Sequence, residues 1–152
     1  MKTRLNAAAH AKDAYAAFVS LDRFVRQSGL PDSTYELVKL RVSQINGCGY
    51  CVDLHSHEMR NAGETHQRLF SVGAWREAPW FTDAERAALA LAEEGTRLAD
   101  RGETTPDEVW QEAAKHYDRA TLSALVIAIA TINGLNRIGV TTRMTPGSHR
   151  TR

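Results

Sequence analysis

The sequence predicts an all-α protein, on three observations. Apolar residues recur at three- and four-residue spacing and seldom alternate. Tetrapeptides of the helix-opening form Ser/Thr-x-x-Glu stand at Ser33, Thr82 and Thr105. Glycines, often beside asparagine or alanine, punctuate the ends of the periodic stretches. At 152 residues, 43% of them hydrophobic, the chain has the size of one domain with a real core.

The elements follow in order. Residues 7–28 are alanine-rich, with Phe18, Leu21, Phe24 and Val25 at helical spacing, and Gly29-Leu30-Pro31 ends them. Ser33-Thr34-Tyr35-Glu36 has the form of a capping box, so a helix is expected from there to about Ile45. Asn46-Gly47 is a stop, and the next helix begins at about Cys48 and runs to Asn61-Ala62-Gly63. A short helix with Leu69, Phe70 and Val72 fits residues 64–73. Trp75 to Phe81, with Pro79, reads as a loop whose large apolar groups pack down onto the body. Thr82-Asp83-Ala84-Glu85 opens a helix to about Ala99, and Arg101-Gly102-Glu103 is a turn. Thr105-Pro106-Asp107-Glu108 opens another, with Pro106 at the first helical position and an end near His116. Asp118 caps the last helix, which runs to about Ile138. Within it Leu122–Leu135 is strongly apolar, but Ser123, Thr131 and Asn133 interrupt it. It is also shorter than the roughly 20 residues of a bilayer span, so it reads as a helix buried in the core or at a subunit interface. The result is a bundle of six or seven helices in one domain over residues 1–140, with a flexible tail over 141–152.

Composition excludes some functions. A net charge of +1 gives no bulk field for nucleic acid or an anionic membrane. The N-terminus runs into alanines without an apolar signal region, and only two cysteines are present. A reducing cytoplasm is the expected compartment, where a Cys-x-x-Cys pair is more often catalytic or metal-binding than structural.

That pair, Cys48-Gly49-Tyr50-Cys51, is the candidate site, with His55 four residues on and Glu36 twelve residues before Cys48. At about 100° per residue, Cys48, Cys51 and His55 share one helical stripe, with Val52 and Met59 close by. Residues three apart lie close enough for a disulfide after modest adjustment. Thiols titrate near 8.5, so a base is needed at neutral pH, and His55 is placed to serve. Glu36 could orient His55 or accept its proton if the preceding helix folds back antiparallel. Adjacency to His55 favours Cys51 as the attacking thiol; the helix start, which stabilises a thiolate, favours Cys48.

Competing readings exist for each residue. The cysteines could be inert core thiols. They could form a zinc site with His55 and Glu36, although His57 lies about 180° round the helix from Cys48 and faces away. Glu36 could simply complete the capping box. His10, His57, His66 and His116 read as solvated or core-satisfied. Trp75, Trp80 and Phe81 read as packing groups that could also wall the thiol pocket, and Tyr50 as a packing group that could donate a hydrogen bond to a bound peroxide. Asn133, Asn136 and Arg137 read as structural or interface residues, and the charges of Glu93–Glu103 as a solvated helix end.

The spacing of Glu36, Cys48, Cys51 and His55 resembles the active-site signature of the alkyl hydroperoxidase D (AhpD-like) family, within the carboxymuconolactone decarboxylase superfamily. The likeness extends through Glu36–Cys48, Phe81–Leu89 and Ile132–Arg137, and fits roughly residues 30–140. It implies an all-α fold, assembly into trimers or hexamers, and reduction of a small-molecule hydroperoxide by the cysteine pair without metal or other cofactor. It also implies that Cys51 is peroxidatic, that Cys48 resolves, that Glu36 and His55 relay protons, and that an external thiol or dithiol restores the pair. Gly49 and Tyr50 fill the places between the cysteines where the founding peroxidase carries a histidine. A thiol–disulfide reductase and a non-enzymatic redox-sensing oligomer are the other readings compatible with the same residues.

Overall fold

The computed structural model describes residues 2–100 and 105–150. Among them are eight α-helices and no strand: α1 (Ala7–His10), α2 (Lys12–Arg26), α3 (Asp32–Ile45), α4 (Gly49–Asn61), α5 (His66–Ser71), α6 (Asp83–Thr96), α7 (Asp107–His116) and α8 (Arg119–Thr142). Short 3-10 turns follow α5 and α6. The all-α expectation holds, with more helices than the sequence suggests because the first alanine-rich stretch breaks at Ala11. The expected turn at Arg101-Gly102-Glu103 lies outside the described residues.

Helix α3 is the centre. It packs against α4, α6 and α8, and nine of its residues from Thr34 to Ser43 are buried. A helix apolar on only one side could not sit there, and among the polar residues it buries Glu36, Lys39 and Ser43 find partners. One core cluster joins Val38 and Val42 of α3 to Ala88 and Leu91 of α6, Ala113 of α7, and Leu125 and Ile132 of α8. A second joins Leu37 and Leu40 to Met59 of α4, to Trp75 and Phe81 of the loop, and to Leu89 of α6. Trp75 and Phe81 therefore pack down as expected, whereas Trp80 stays substantially exposed.

Helix α8 is by length and apolarity capable of crossing a membrane. Here it is a core helix: Leu122, Leu125, Ala128, Ile129 and Ile132 are buried, and so are its polar residues Asn133 and Asn136, which hydrogen-bond inward.

Three local expectations change. The Ser33 capping box does not form: α3 starts at Asp32 behind Pro31, without a side-chain cap, and Glu36 turns to other partners. Likewise Pro106, rather than Thr105, is the N-cap of α7, again without a side-chain cap. The Thr82–Glu85 box and the Asp118 cap do form. Finally, the expected tail is in large part docked. Helix α8 continues to Thr142, and Arg143 caps it in the left-handed region at φ 55. The Gly147 N–H then bonds Asp53 of α4 at 2.8 Å, and the Thr142 carbonyl accepts from the Arg4 N–H at 2.8 Å.

Candidate thiol site

The site is built at the α3–α4 corner. Gly47 takes φ +66, a conformation glycine adopts at little cost, and the Cys48 N–H bonds the Ser43 carbonyl at 3.0 Å. This turn folds α4 back against α3. Asn46 clamps it to α8: its amide Nδ2 donates to Asn133 Oδ1 and to Asn136 Oδ1, each at 2.9 Å. Asn136 in turn donates to Ser43 Oγ at 3.0 Å.

Cys48 is the N-cap of α4 and Cys51 lies in its first turn; both thiols are reduced and buried. Gly139 of α8 faces them so closely that a Cβ there would meet Cys48 Sγ at 2.8 Å. Hydrogen bonding from the Cys51 thiol draws the Cys48 pKa down to about 7 against the cost of burial. The Cys51 N–H, His55 and Asn136 act in the same direction. Cys51, as donor to Cys48, is correspondingly pushed up.

His55 is buried one turn along α4. Its Nδ1 lies 3.2 Å from Glu36 Oε2 and 3.1 Å from Glu58 Oε2. The two carboxylates raise its pKa, outweighing the opposing effect of burial. Glu36 is itself held ionised. Lys39 Nζ and Arg26 Nη2 each stand 2.7 Å from its Oε1, and its pKa falls to about 2, with His55 and Lys39 overcoming desolvation. Its Oε2 faces His55 Nδ1 and favours the protonated imidazole. Lys39 is buried too, over the Tyr35 ring at 4.3 Å from its centroid.

The structure brings together all four residues that the sequence singles out. Cys51 and His55 line one cavity of about 220 Å³ with Tyr15, Phe18, Tyr50, Ile132, Leu135 and Met144 among its walls. Cys48 opens instead on a cleft of about 380 Å³ formed with Gly139, Met144 and Pro146. Trp75, Trp80 and Phe81 line neither. His57 faces away as expected, beside Asp53 and His149. Glu93 is no solvated helix end: it is buried and receives Arg41, Arg76 and the Trp75 indole. Sequence reasoning missed Lys39, Glu58, Asn136 and Gly139. For the first two a signal exists, since Glu36–Lys39 and His55–Glu58 are i,i+3 pairs. The α8 residues carry none, because only tertiary packing brings them to the thiols.

The fold and site define an all-α protein with a buried dithiol beside a histidine flanked by two carboxylates. The chain belongs to the carboxymuconolactone decarboxylase family, whose profile matches residues 11–94, and it is an AhpD-like member. It is 38% identical to the uncharacterized protein YdfG of Bacillus subtilis, over 80% of this chain and 82% of that one. It is 42% identical to the alkyl hydroperoxide reductase AhpD of Streptomyces coelicolor, over 41% of this chain but only 36% of that protein. Among solved structures, a protein of unknown function from Agrobacterium tumefaciens, proposed as an antioxidant defence protein of the AhpD type, superposes with a TM-score of 0.89 at 36% identity, covering 95% of this chain and 98% of that one. The debrominase Bmp8 shares the fold at a TM-score of 0.80 and 21% identity, over 92% of this chain and 74% of its own.

Proposed function

We propose that this protein is a thiol-dependent peroxidase acting on hydroperoxides with a compact apolar group. The observation that carries the reading is the shared cavity. A thiol and a carboxylate-charged imidazole face the same small, mostly apolar space, and the partner thiol lies within hydrogen-bonding reach behind it.

The dithiol loses its first proton near neutrality because the thiol left protonated donates to the thiolate. That thiolate resides mainly on Cys48, and proton exchange between the two sulfurs makes Cys51 available to the cavity. Cys51 attacks the distal peroxide oxygen; the S–O bond forms as the O–O bond breaks. The leaving alkoxide takes the His55 proton and departs as an alcohol. With Nδ1 held by Glu36 and Glu58, Nε2 is the ring nitrogen that serves. Cys48 then attacks the sulfenic acid, a disulfide forms and water leaves. An external thiol or dithiol, oxidised in the exchange, restores both thiols. Cys51 is thus peroxidatic, Cys48 resolving, His55 the acid and Glu36 its positioning residue. Self-association fits the exposed Val19, Leu21 and Phe24 of α2, and a reducing cytoplasm suits the cycle.

The test is stopped-flow mixing of the reduced protein with hydrogen peroxide and alkyl hydroperoxides, followed by mass measurement. Cys51→Ser is expected to abolish peroxide consumption, and Cys48→Ser to stop at a trappable sulfenic acid on Cys51. Full turnover by both variants would overturn the proposal. A second reading is favoured by the lowered pKa of Cys48 and by its separate cleft: a thiol–disulfide reductase in which Cys48 attacks a disulfide. It predicts that Cys51→Ser accumulates a mixed disulfide through Cys48 while neither thiol consumes peroxide.

A further inference from the structure

Helix α4 carries a second constellation on the side opposite the thiol stripe. Asp53 and His57 are one turn apart, and the chain after α8 brings His149 over them. One ligand-type atom from each residue lies within 4.8 Å of those of the other two. His149 has an unmet need: its side chain is 15% exposed, both ring nitrogens are buried, and neither has a hydrogen-bond partner. Its Nδ1 is 3.5 Å from Asp53 Oδ2, beyond good hydrogen-bond geometry. Burying an imidazole with both nitrogens unmatched is costly, and such a group calls for an explanation.

The surrounding contacts supply one. His57 Nδ1 lies 2.9 Å from the Asp53 backbone carbonyl, a bond that makes Nδ1 the protonated nitrogen and puts the ring lone pair on Nε2. The Gly147 N–H fixes the Asp53 carboxylate through Oδ2 at 2.8 Å. Histidine ligands oriented by a carbonyl, beside a hydrogen-bonded carboxylate, are the arrangement found around bound metal ions. The geometry points to Asp53, His57 and His149 as a site for a divalent transition ion of the zinc kind. Two imidazoles and one carboxylate suit such an ion better than magnesium or calcium, which prefer oxygen donors, and water would complete the coordination. Closing on the ion draws the donors in by about an ångström.

The site has a consequence for the thiols. It joins α4 to the segment that carries Met144, Thr145 and Pro146, and these residues wall the Cys48 cleft. A bound ion therefore fastens that wall and, through Met144, which lines both spaces, one edge of the Cys51 cavity. The site needs no assumption about peroxide chemistry.

The experiment uses the full chain with Cys48→Ser and Cys51→Ser, so that the thiols cannot compete. Binding of Zn²⁺ is measured by calorimetry, and Co²⁺ serves as the absorption probe. One equivalent of Zn²⁺ is expected, with Co²⁺ d–d bands of low coordination number and no sulfur charge-transfer band. His57→Ala and His149→Ala should each weaken binding at least about tenfold, and Glu58→Gln should not. Truncation after Gly147 is the second route to the loss of His149, and Zn²⁺ should slow tryptic cleavage after Arg143 only where His149 is retained. No binding at submillimolar Zn²⁺ would overturn the assignment. So would binding that survives both histidine replacements, or that follows Glu58 instead.

Discussion

Replacing Glu36 by Gln tests the electrostatic core of the site, because a single neutral isostere removes the charge on which His55 and Lys39 both depend. The carboxyl sits at about 2 against an ordinary 4.5, and a difference of about 2.5 pH units corresponds to roughly 3 kcal/mol in favour of the ionised form. The variant also takes from buried Lys39 its nearest counter-charge at 2.7 Å and leaves it Asp22 at 3.5 Å and Glu58 at 4.0 Å. The expected destabilisation at neutral pH is therefore about 2–4 kcal/mol, read from urea unfolding. Its pH dependence is specific. A depressed carboxyl contributes stability above its unfolded value of 4.5 that is lost as pH falls toward 2, so wild type and variant should converge in acid. His55, with a raised pKa, contributes below its ordinary 6.5 and loses that contribution as pH rises through the elevated value; the variant should lack most of this alkaline slope. The thiol responds as well. With Cys48 near 7, half of it is thiolate at neutrality. A less charged His55 supports that thiolate less, so the Cys48 pKa rises and its reaction with a thiol reagent at pH 7 slows, recovering as pH is raised. An unchanged urea midpoint together with an unchanged thiol pH profile would refute this account of Glu36.

Two further substitutions separate packing from chemistry on α8. Gly139→Ala gains about 1 kcal/mol of helix propensity but drives a methyl group to 2.8 Å from Cys48 Sγ. Crowding of about 1–3 kcal/mol offsets the gain, so melting should change little while disulfide closure slows markedly, as quenched-flow mass measurement would register. Asn136→Ala removes one of the two acceptors of Asn46 and the donor to Ser43 Oγ, while Asn133 and the Lys39 carbonyl remain as their other partners; a loss of about 1–2 kcal/mol is expected in urea unfolding, together with a raised Cys48 pKa in thiol titration.

How much of this was legible in the sequence follows from the range of each interaction. The helices, the stops at Gly47 and Gly63, and the caps at Thr82 and Asp118 are local and were readable. Cys48, Cys51 and His55 lie on one helix, so spacing alone placed them on a stripe. Glu36 needed only the antiparallel return of one hairpin. The Ser33 box misled because Glu36 meets Lys39, Arg26 and His55 in the folded protein, and a charged hydrogen-bond network outweighs one cap. Glu93 misled in the opposite way: its sequence neighbours are charged, but Arg41, Arg76 and Trp75 arrive from elsewhere. The docking of residues 144–149 was equally out of reach, since Pro146-Gly147 reads as loose chain and nothing local announces Asp53 as its partner.

The most consequential part hidden in the sequence is the second half of α8. Read as an apolar stretch, it looks like core and nothing more, and up to Ile129 it is. Beyond that point its inward face changes in character at helical spacing. Ile132 and Leu135 wall the cavity shared by Cys51 and His55. Asn136 holds the α3–α4 turn and supports both sulfurs. Gly139, a turn further, makes room for Cys48 by having no side chain. A Cys-x-x-Cys at a helix start is common chemistry; here a helix nearly ninety residues away sets its spacing, its polarity and the shape of the space in front of it. Substitutions along this face should therefore trade stability effects for thiol-reactivity effects between Ile129 and Gly139. That crossover is a sharper signature of a working dithiol site than the motif itself.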